Sequence, residues 1–271
     1  MKPKVSVIIV NYNHKYFPKL AIEALEKSKT NFPFEIIVVD NASTDLESLD
    51  FLNMAKKEKR ITLIKSPNNI GFGKGNNLGA RIAKGDYIFI HNPDVTVKEN
   101  SLKKMVDYLE KHKEIGLLGP QLRYSSGKIQ ESCRRLMSFW DLVLNRSFLG
   151  KLPFFKKRVN KYLMADFDHN KIQEVDLITG AAMMIPKKVW DRVGGFDKRY
   201  FLFMEDFDLC REISLLDKKV VYYPKVVVEH YQKRLSQGKF RTLLFKAVFW
   251  NHVISALKYY LKWSKKGLKK S

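Results

Sequence analysis

Four short apolar runs, rich in β-branched residues, recur through the first 90 residues and constrain the fold more than any other feature. They are Val5–Val10, Glu35–Val39, Ile61–Ile64 and Tyr87–Ile90. Continuous apolar runs of this length are typical of strands buried on both faces. The stretches between them have helical patterns: Lys15–Ser28, Asp45–Glu58 and Lys74–Lys84. Strands that alternate with helices predict an α/β fold with a mainly parallel, Rossmann-like sheet flanked by helices.

The alternation weakens beyond about residue 120, although elements are still predicted there. The basic, acid-free stretch Arg146–Lys161 is expected to form a loop or an exposed helix. Pro186 suits the first turn of a short helix that ends at Gly194-Gly195. The other predicted elements are a helix over Leu102–Lys111, a strand over Ile115–Leu118, a turn over Tyr124–Lys128, ordered structure over Val175–Ile185, a helix over Asp206–Asp217, and strands over Val220–Tyr223 and Val226–Val228.

Composition narrows the class of protein. With 271 residues, 45% of them hydrophobic, the chain can bury a sizeable core and is not a disordered or collagen-like protein. Its 50 Lys and Arg against 28 Asp and Glu give a formal charge of +22, which predicts a polyanionic neighbour such as nucleic acid, anionic lipid or a phosphorylated substrate. The two cysteines, Cys133 and Cys210, exclude a disulfide framework and a four-cysteine zinc site, and they fit a reducing compartment.

Polar side chains follow three of the predicted strands. Asn11-Tyr12-Asn13 follows the first strand, Asp40-Asn41 the second, and His91-Asn92-Pro93-Asp94 the strand Tyr87–Ile90. Ligands bind outside the carboxyl ends of the strands in an open parallel sheet. Asp and Asn after a strand are also common turn residues and helix caps. Three such groups on one rim nevertheless favour a ligand site.

Dinucleotide binding is the obvious rival for such a sheet. Its G-x-G-x-x-G fingerprint should follow the first strand, where this chain has no glycine. The later run Gly71-Phe72-Gly73-Lys74-Gly75 has Asn76 where a third glycine is required, and no P-loop pattern occurs. The glycine-rich loop 68–77 still allows the backbone to approach a ligand closely.

Five motifs in order resemble those of family 2 glycosyltransferases, which are inverting enzymes with the GT-A fold. The motifs are V-S-V-I-I-V-N-Y-N, V-V-D-N-A-S-T-D, N-N-I-G-F-G-K-G-N-N-L-G, G-D-Y-I-F-I-H-N-P-D-V and F-M-E-D-F-D-L. The resemblance covers about residues 4 to 231 and is strongest to the rhamnosyltransferase-like branch, which reads N-P-D-V where other members have Asp-x-Asp. It implies a GT-A fold, here with a basic C-terminal helical extension.

The resemblance also implies roles for individual residues. Asp94 would bind a divalent metal, Mg²⁺ or Mn²⁺. His230 resembles a late histidine that some family members direct at the metal or the diphosphate. An equally good interpretation of His230 is a surface histidine at the end of a strand. Asp206 would be the catalytic base, with Glu205 beside it. The alternative interpretation is that both acids only stabilise a helix N-terminus through its dipole. Thr179 and Gly180 would line the acceptor pocket, or form a simple buried strand. The donor-binding residues would be Tyr12, Asn13, Asp40, Asn41, Gly71, Lys74, Asn76 and Asn92.

The chemistry requires such groups whatever the family. A nucleotide diphosphate leaves readily only if its developing charge is neutralised, as a carboxylate-held Mg²⁺ or Mn²⁺ would do. The acceptor hydroxyl loses a proton as it attacks, so a carboxylate base must face it. Asn92 stands where a carboxylate is usual. Its amide oxygen can accept a ribose hydroxyl or coordinate a hard cation, but it adds no charge.

The predicted function is metal-dependent, inverting transfer of a sugar from a nucleotide-diphosphate donor to a hydroxyl of a glycan or lipid-linked acceptor in surface polysaccharide synthesis. The preferred donor is dTDP-L-rhamnose, and a UDP-hexose on the same fold is the alternative. A different class, a basic membrane-surface or nucleic-acid-binding protein without catalysis, would explain the charge but not the intact carboxylates Asp40, Asp94 and Asp206. We predict no nucleic-acid partner, and a homo-oligomer is possible.

The C-terminal segment differs from the rest in composition. Residues 231 to 271 contain eleven Lys or Arg and no acid, with apolar and aromatic residues at near-helical spacing. Three interpretations of this segment are open: it binds an anionic membrane surface, it docks on the protein's own domain or a dimer partner, or it binds nucleic acid. Of these, membrane binding explains both the many aromatic side chains and the absence of acidic residues. No apolar run is long enough to span a bilayer and no targeting segment is visible, so we expect a cytoplasmic protein, peripheral on the inner face of the plasma membrane.

The expected domain organisation follows from these observations. Residues 1–235 are predicted to form the glycosyltransferase domain, with a nucleotide-sugar-binding half over 1–120 and an acceptor half over 121–235. Residues 236–271 are predicted to form a basic amphipathic helical segment.

Overall fold

The computed structural model describes residues 1–136, 152–164, 166–231 and 247–267. Its strands are β1 Val5–Asn11, β2 Phe34–Asp40, β3 Thr62–Lys65, β4 Tyr87–His91, β5 Val95–Thr96, β6 Ile115–Arg123, β7 Ile129–Gln130, β8 Cys133–Arg134, β9 Gln173–Glu174, β10 Leu177–Ile178, β11 Ala182–Pro186 and β12 Lys219–His230. Its helices are α1 Phe17–Glu26, α2 Leu46–Lys57, α3 Phe72–Ala80, α4 Ser101–Lys111, α5 Pro153–Leu163, α6 Lys187–Val193, α7 Glu205–Ser214 and α8 Ala247–Gly267.

One ten-stranded sheet organises the described chain. Its main path runs β3-β2-β1-β4-β11-β6-β12-β5, with β7 beside β6 and β9 beside β12, while β8 and β10 form a separate pair. Strands β3, β2, β1 and β4 are parallel, and β6 and β12 form a second parallel pair. Strand β11 lies antiparallel between these two groups. The predicted α/β fold with a mainly parallel sheet is therefore confirmed.

Alternate residues of the central strands enter two apolar layers, one on each face of the sheet. On β1, Val7 and Ile9 pack in the layer that contains Leu25 of α1 and Leu102 of α4, whereas Ile8 packs on the opposite face with Leu209 of α7. Burial on both faces explains why these strands read as continuous apolar runs. The sheet is thus a rigid support whose carboxyl edge holds the loops after β1, β2 and β4.

Several element boundaries differ from those predicted. The two strands expected at Val220–Tyr223 and Val226–Val228 are one strand, β12, whose register shifts between Tyr223 and Val227. Pro224 lies in this irregularity, where its missing N–H disrupts no regular ladder. Pro186 is the N-cap of α6 rather than a residue of its first turn, and Gly194 ends that helix with φ of 81°.

Two other predictions concern the middle of the chain. The turn over Tyr124–Lys128 is confirmed, since the Tyr124 amide donates to the Lys128 carbonyl oxygen at 2.9 Å. In the basic stretch Arg146–Lys161, the part from Pro153 onward belongs to α5, and residues 146–151 lie outside the described residues.

Helix α8 packs on the domain through one face. Its buried residues Ala256, Tyr259 and Trp263 form a small apolar cluster with Tyr200 and Met204. The other apolar face is exposed: it carries Trp250, Ile254, Leu257 and Leu261, which are 46% to 61% exposed. No helix in the described ranges is long and apolar enough to cross a bilayer.

Candidate active site

The ends of β1 and β2 meet through a buried hydrogen-bond network. Asn11, the last residue of β1, donates from Nδ2 to Asp40 Oδ1 and to Ser48 Oγ, both at 3.0 Å. Asp40, the last residue of β2, also accepts the Ser43 amide at 3.1 Å and is only 3% exposed. The carboxylate is therefore fixed by neighbours on both strands.

Tyr12 and Asn13 follow β1 and have different environments. Asn13 has φ of 56°, and its Oδ1 accepts the backbone amides of Thr44 at 2.7 Å and Asp45 at 3.2 Å. Asp45 in turn caps α2 by accepting the Ser48 amide at 3.0 Å. Asn13 therefore joins the two loops, whereas Tyr12 is 45% exposed and presents its ring at the rim.

Asn41 holds the glycine-rich loop against the end of β2. Its Nδ2 donates to the Gly71 carbonyl oxygen at 3.2 Å, and its Oδ1 accepts the Ile70 amide at 3.1 Å. Gly71 has φ of 86°, and a Cβ there would collide with the carbonyl oxygen of Phe201, which accepts the Phe72 amide at 3.1 Å. Only glycine fits this position. The close contact joins the glycine-rich loop to the segment before α7.

Lys74 and Asn76 point to different environments within α3. Asn76 is buried, and its Nδ2 donates to the Phe72 carbonyl oxygen at 3.0 Å, while its Oδ1 is buried without a hydrogen-bond partner among the described residues. Lys74 is exposed. Of these two predicted donor residues, Lys74 can reach a phosphate in solvent and Asn76 can contact only a ligand that enters the loop.

The turn after β4 presents two buried oxygens, Asn92 Oδ1 and Asp94 Oδ1. They accept no hydrogen bond from the described residues, although His230 lies within ion-pair distance of Asp94. The turn itself is well held, because the Asn92 amide donates to the Ala181 carbonyl oxygen at 2.9 Å and the Tyr231 amide donates to the Asp94 carbonyl oxygen at 2.8 Å. Buried acceptors without donors are uncommon in folded proteins, and a bound water or ion commonly satisfies them.

His230 is next to Asp94. Its Nε2 lies 3.5 Å from Asp94 Oδ1, and its Nδ1 lies 2.9 Å from Gln130 Oε1. Burial alone would raise the pKa of Asp94, but the neighbouring His230, with a smaller contribution from His14, outweighs it and lowers that pKa. Asp94 is therefore ionised at neutral pH, and a surface location for His230 is wrong, since this side chain is 4% exposed.

These groups suit a hard divalent cation. An ionised carboxylate and an amide oxygen are ligand types that suit Mg²⁺ or Mn²⁺, whereas imidazole is more typical of other transition metals. The described residues contain no cluster of three or more His, Cys, Asp or Glu that would hold a metal without substrate. His91 lies beside this turn, where burial lowers the pKa of its imidazole to about 4 and keeps the ring neutral.

Glu205 and Asp206 begin α7 and form a buried acidic pair. Asp206 Oδ2 accepts the Gly180 amide and its Oδ1 accepts the Phe207 amide, both at 2.9 Å. Glu205 is 4% exposed, and its Oε2 is buried without a hydrogen-bond partner in the described part of the chain. Burial raises the pKa of both carboxyls, and the charge of Asp206 raises that of Glu205 further. A pair of this kind holds a proton at a pH at which isolated carboxyls have lost theirs.

The backbone before this pair is strained. Phe203 and Met204 both have positive φ, 72° and 70°, a region that residues with a Cβ rarely adopt. Each such residue costs on the order of 1–3 kcal/mol, and such strain clusters at functional sites. Sequence analysis could not find this feature, because neither residue is Gly, Asn or Asp.

Thr179 and Gly180 lie beside the acidic pair. Thr179 Oγ1 is buried and makes no hydrogen bond within the described ranges, and its amide donates to the Ser132 carbonyl oxygen at 2.9 Å. A Cβ on Gly180 would come 3.3 Å from the Asp206 Cβ and 3.4 Å from the Phe72 ring. The absence of a side chain at Gly180 thus lets Asp206 and the Phe72 ring pack closely against its backbone.

The predicted residues occupy one connected rim. Hydrogen bonds link Asp40 to β1, Asn41 to the glycine-rich loop, and that loop to the segment before α7. The rim continues from Asp206 through Gly180 and Ala181 to Asn92. Sequence analysis placed Asn11 among the polar groups at the strand ends but gave it no supporting role, and it missed Gln130.

Comparisons with known proteins agree with this geometry. The sequence profile described as Glycosyl transferase family 2 matches residues 6–193. Rhamnosyltransferase WbbL of Escherichia coli K12 is 27% identical over 263 residues, 94% of this chain and 92% of that protein. N-acetylglucosaminyl-diphospho-decaprenol L-rhamnosyltransferase of Mycobacterium tuberculosis is 26% identical over 216 residues, 75% of this chain and 68% of that protein.

Solved structures show the same fold at low sequence identity. GalNAc-T7 with UDP, GalNAc and Mn²⁺ superposes with a TM-score of 0.63 at 16% identity, covering 84% of this chain but only 44% of that one. The mannosyltransferase PcManGT of Pyrobaculum calidifontis with GDP-Man and Mn²⁺ gives 0.60 at 18% identity, covering 97% and 76% of the two chains. The predicted GT-A fold is confirmed.

Proposed function

The chain belongs to glycosyl transferase family 2 and is a glycosyltransferase, and from this premise we propose that it transfers a sugar with inversion from a nucleotide-diphosphate donor to a hydroxyl of a glycan or lipid-linked acceptor. The observation that carries this proposal is the rim itself, in which contacts connect the Asp40 end of the sheet, the Asn92–Asp94 turn and the Asp206 carboxylate. In this proposal the donor nucleotide, the cation that neutralises its diphosphate and the catalytic base therefore have separate but adjacent positions along the rim.

Asp206 is the base of the proposed reaction. Inversion requires the acceptor hydroxyl to attack from the face opposite the leaving diphosphate, and the hydroxyl proton must pass to a carboxylate there. The amides of Gly180 and Phe207 stabilise and orient the Asp206 carboxylate by hydrogen bonding. Thr179 and Gly180 border the space for the acceptor.

The donor lies along the sheet edge in this proposal. Asp40 and the exposed ring of Tyr12 contact the ribose and base, and the loop held by Asn41 and Gly71 covers the nucleotide. Lys74, Asn76 and Asn92 contribute polar contacts, whereas the side chain of Asn13 acts by positioning the Tyr12 loop.

Asp94 and His230, with the Asn92 oxygen, would hold Mg²⁺ or Mn²⁺ in the proposed enzyme. Support comes from the unpartnered buried oxygens of this turn and the ionised state of Asp94. A bound cation supplies the positive charge that neutralises the diphosphate leaving group.

The proposed donor is dTDP-L-rhamnose. Two relatives with substantial coverage are named rhamnosyltransferases, and one is named for an N-acetylglucosaminyl-diphospho-lipid acceptor. We infer that this chain uses a lipid-linked acceptor of similar chemistry, in the synthesis of a surface polysaccharide.

We also propose that the protein works at the cytoplasmic face of the plasma membrane, bound through residues 236–271. Within that segment, α8 exposes Trp250, Ile254, Leu257 and Leu261 on the side opposite its docked face, at a spacing of four, three and four residues. A basic, acid-free segment with such an apolar stripe suits an anionic lipid surface. The division into 1–120, 121–235 and 236–271 and a homo-oligomeric state remain part of this proposal.

Thermal-shift titration tests the donor and metal together. The protein is titrated with dTDP-L-rhamnose, UDP-glucose and GDP-mannose, with and without Mn²⁺, alongside Asp94→Ala. We expect stabilisation by the dTDP sugar, enhanced by Mn²⁺ in the wild type only. Mn²⁺-dependent stabilisation that persists in Asp94→Ala would remove Asp94 as a ligand, and stabilisation by UDP-glucose alone would replace the donor.

A further inference from the structure

Helix α8 follows the segment before the acidic pair along its length. Residues 197–204, here called the pre-catalytic segment, lead directly into Glu205 and Asp206. Three contacts from α8 reach it in order: Lys258 Nζ donates to the Arg199 carbonyl oxygen at 2.9 Å, Ser255 Oγ donates to the Leu202 carbonyl oxygen at 2.8 Å, and the His252 ring lies 4.5 Å from the Phe203 ring. The strained residues Phe203 and Met204 are thus packed directly against α8.

Lys262 is the charged centre of this interface. Its Nζ lies 2.9 Å from Asp197 Oδ2, 2.6 Å from Asp208 Oδ2 and 2.8 Å from Glu212 Oε1. Asp197 is the first residue of the pre-catalytic segment, and Asp208 and Glu212 lie on successive turns of α7. The Lys262 side chain is only 9% exposed and that of Asp208 only 2%, so the ion pairs are shielded from water.

The neighbours of Lys262 complete the attachment. Trp263 Nε1 donates to Asp208 Oδ1 at 2.9 Å, and the Arg211 guanidinium lies 4.1 Å from the centre of the Trp263 ring. Tyr200 also donates to Asp208 Oδ1, at 3.2 Å. A buried carboxylate is tolerated only when it is paired and hydrogen-bonded, and Asp208 lies two residues after Asp206 on α7.

We propose that Lys262 is a positioning residue for sugar transfer, which holds the pre-catalytic segment and the first turn of α7 so that the Asp206 carboxylate stays on the Gly180 amide. Without its ammonium group, three carboxylates would face one another without a shared cation, and the strained turn would lose an attachment on each side. The C-terminal helix is then part of the catalytic apparatus, whatever else binds its exposed face. This inference rests on the proposed role of Asp206.

The test compares Lys262→Met with three other variants. Lys103→Met removes a lysine from an exposed ion pair with Asp107 on α4 and serves as the matched control. Leu109→Ala destabilises the opposite face of the sheet, where Leu109 is buried in α4. Lys262→Arg keeps the charge and tests rescue.

Three measurements are made on each full-length variant. Transfer from dTDP-L-rhamnose to an N-acetylglucosaminyl-diphospho-lipid gives kcat, with the donor dissociation constant measured separately. Hydrogen exchange is followed over residues 197–208. We expect Lys262→Met to lower kcat about 10- to 100-fold, the scale of a small misplacement of a reacting group. Its donor affinity should be unchanged and its exchange over 197–208 faster, and Lys262→Arg should recover part of both.

Two results would overturn the proposal. One is wild-type exchange over residues 197–208 in Lys262→Met, whatever its kcat. The other is an equal loss of kcat in Leu109→Ala at a matched melting temperature, because Lys262 would then act through stability alone. Hydrogen exchange needs no substrate, so unchanged exchange over 197–208 overturns the proposal even if the chosen donor is wrong. Wild-type turnover in Asp206→Asn would instead refute the proposed base.

Discussion

At the scale of single residues, the rim contains two kinds of polar side chain. Asp40, Asn13 and Asn41 each accept a backbone amide from a neighbouring loop, and these bonds fix the shape of the site. Asn92 Oδ1 and Asp94 Oδ1, by contrast, are buried without a hydrogen-bond partner among the described residues. An unsatisfied buried oxygen costs about 1–3 kcal/mol, so these atoms are candidates for contact with water, a cation or a ligand.

Replacing the proposed base should separate chemistry from binding. Asp206→Asn keeps an oxygen that can accept the Gly180 or Phe207 amide but cannot take a proton from the acceptor. We expect turnover to fall about 100-fold or more, the scale of general-base catalysis, with donor binding nearly unchanged. The measurements are kcat and the donor dissociation constant. Near wild-type turnover in Asp206→Asn, with loss of turnover in Glu205→Gln, would move the base to Glu205.

Glu205 should also make stability depend on pH. Burial, and to a smaller extent the neighbouring Asp206, raises the pKa of Glu205 in the folded protein. Above the pH range in which an ordinary carboxyl titrates, the folded protein therefore binds more protons than the unfolded chain. Stability must therefore fall as pH rises from that range through the raised pKa. Glu205→Gln removes this effect, because a neutral amide does not titrate. Each tenfold difference in proton affinity between the folded and unfolded states corresponds to about 1.4 kcal/mol.

Melting temperatures of the wild type and Glu205→Gln between pH 5 and pH 8 check this expectation. The variant should melt at a higher temperature than the wild type at pH 8, and the difference should shrink toward pH 5. A variant that is less stable than the wild type at pH 8 would contradict the raised pKa.

Residue types at strand ends could be predicted from the sequence, but their hydrogen-bonding state could not. Asp40, Asp94 and Asp206 were all identified as candidate site residues, and the structure places them on one rim. Which oxygens lack a partner depends on contacts such as the one between Gly180 and Asp206, which are 26 residues apart in sequence. The positive φ of Phe203 and Met204 depends in the same way on tertiary packing.

At the scale of secondary-structure elements, continuous apolar runs located the central strands to within one or two residues. Strand β12 was predicted as two pieces because Pro224 and Lys225 interrupt its apolar pattern, yet the sheet continues through the irregularity. The aromatics of α8 were assigned to a membrane surface partly because the segment has no acids. The structure supplies acids from elsewhere, at Asp197 and Asp208. Docking of α8 on its own domain therefore explains its buried aromatics, and only its exposed stripe is left for lipid.

The exposed stripe of α8 can be tested without removing the helix. The triple variant Ile254→Gln, Leu257→Gln, Leu261→Gln should lose most co-sedimentation with anionic vesicles at physiological salt, because these side chains no longer enter the interface. Leu46→Gln, which changes an apolar residue of α2 that is 73% exposed, is the control and should bind as the wild type does. Equal binding by the triple variant, or no binding by the wild type, would refute the membrane proposal.

At the scale of the whole molecule, charge is distributed unevenly. Eleven basic residues lie in the last 41, against a net charge of +22 for the chain. Lys262 is internal, since it is shared among three carboxylates, so the segment presents fewer cations to lipid than its composition suggests. Each Lys or Arg near an anionic surface contributes about 1 kcal/mol, so we expect the remaining cations to support the proposed peripheral attachment.

The most direct test of the account is an acceptor-dependent transfer assay. Purified full-length protein is incubated with Mn²⁺ and an N-acetylglucosaminyl-diphospho-lipid, and dTDP-L-rhamnose, UDP-glucose and GDP-mannose are compared by kcat/KM, with the anomeric configuration of the product determined by NMR. We predict transfer of rhamnose with inversion, and at least about 100-fold less turnover in Asp206→Asn. Retention of configuration, or a higher kcat/KM with UDP-glucose or GDP-mannose than with dTDP-L-rhamnose, would contradict it.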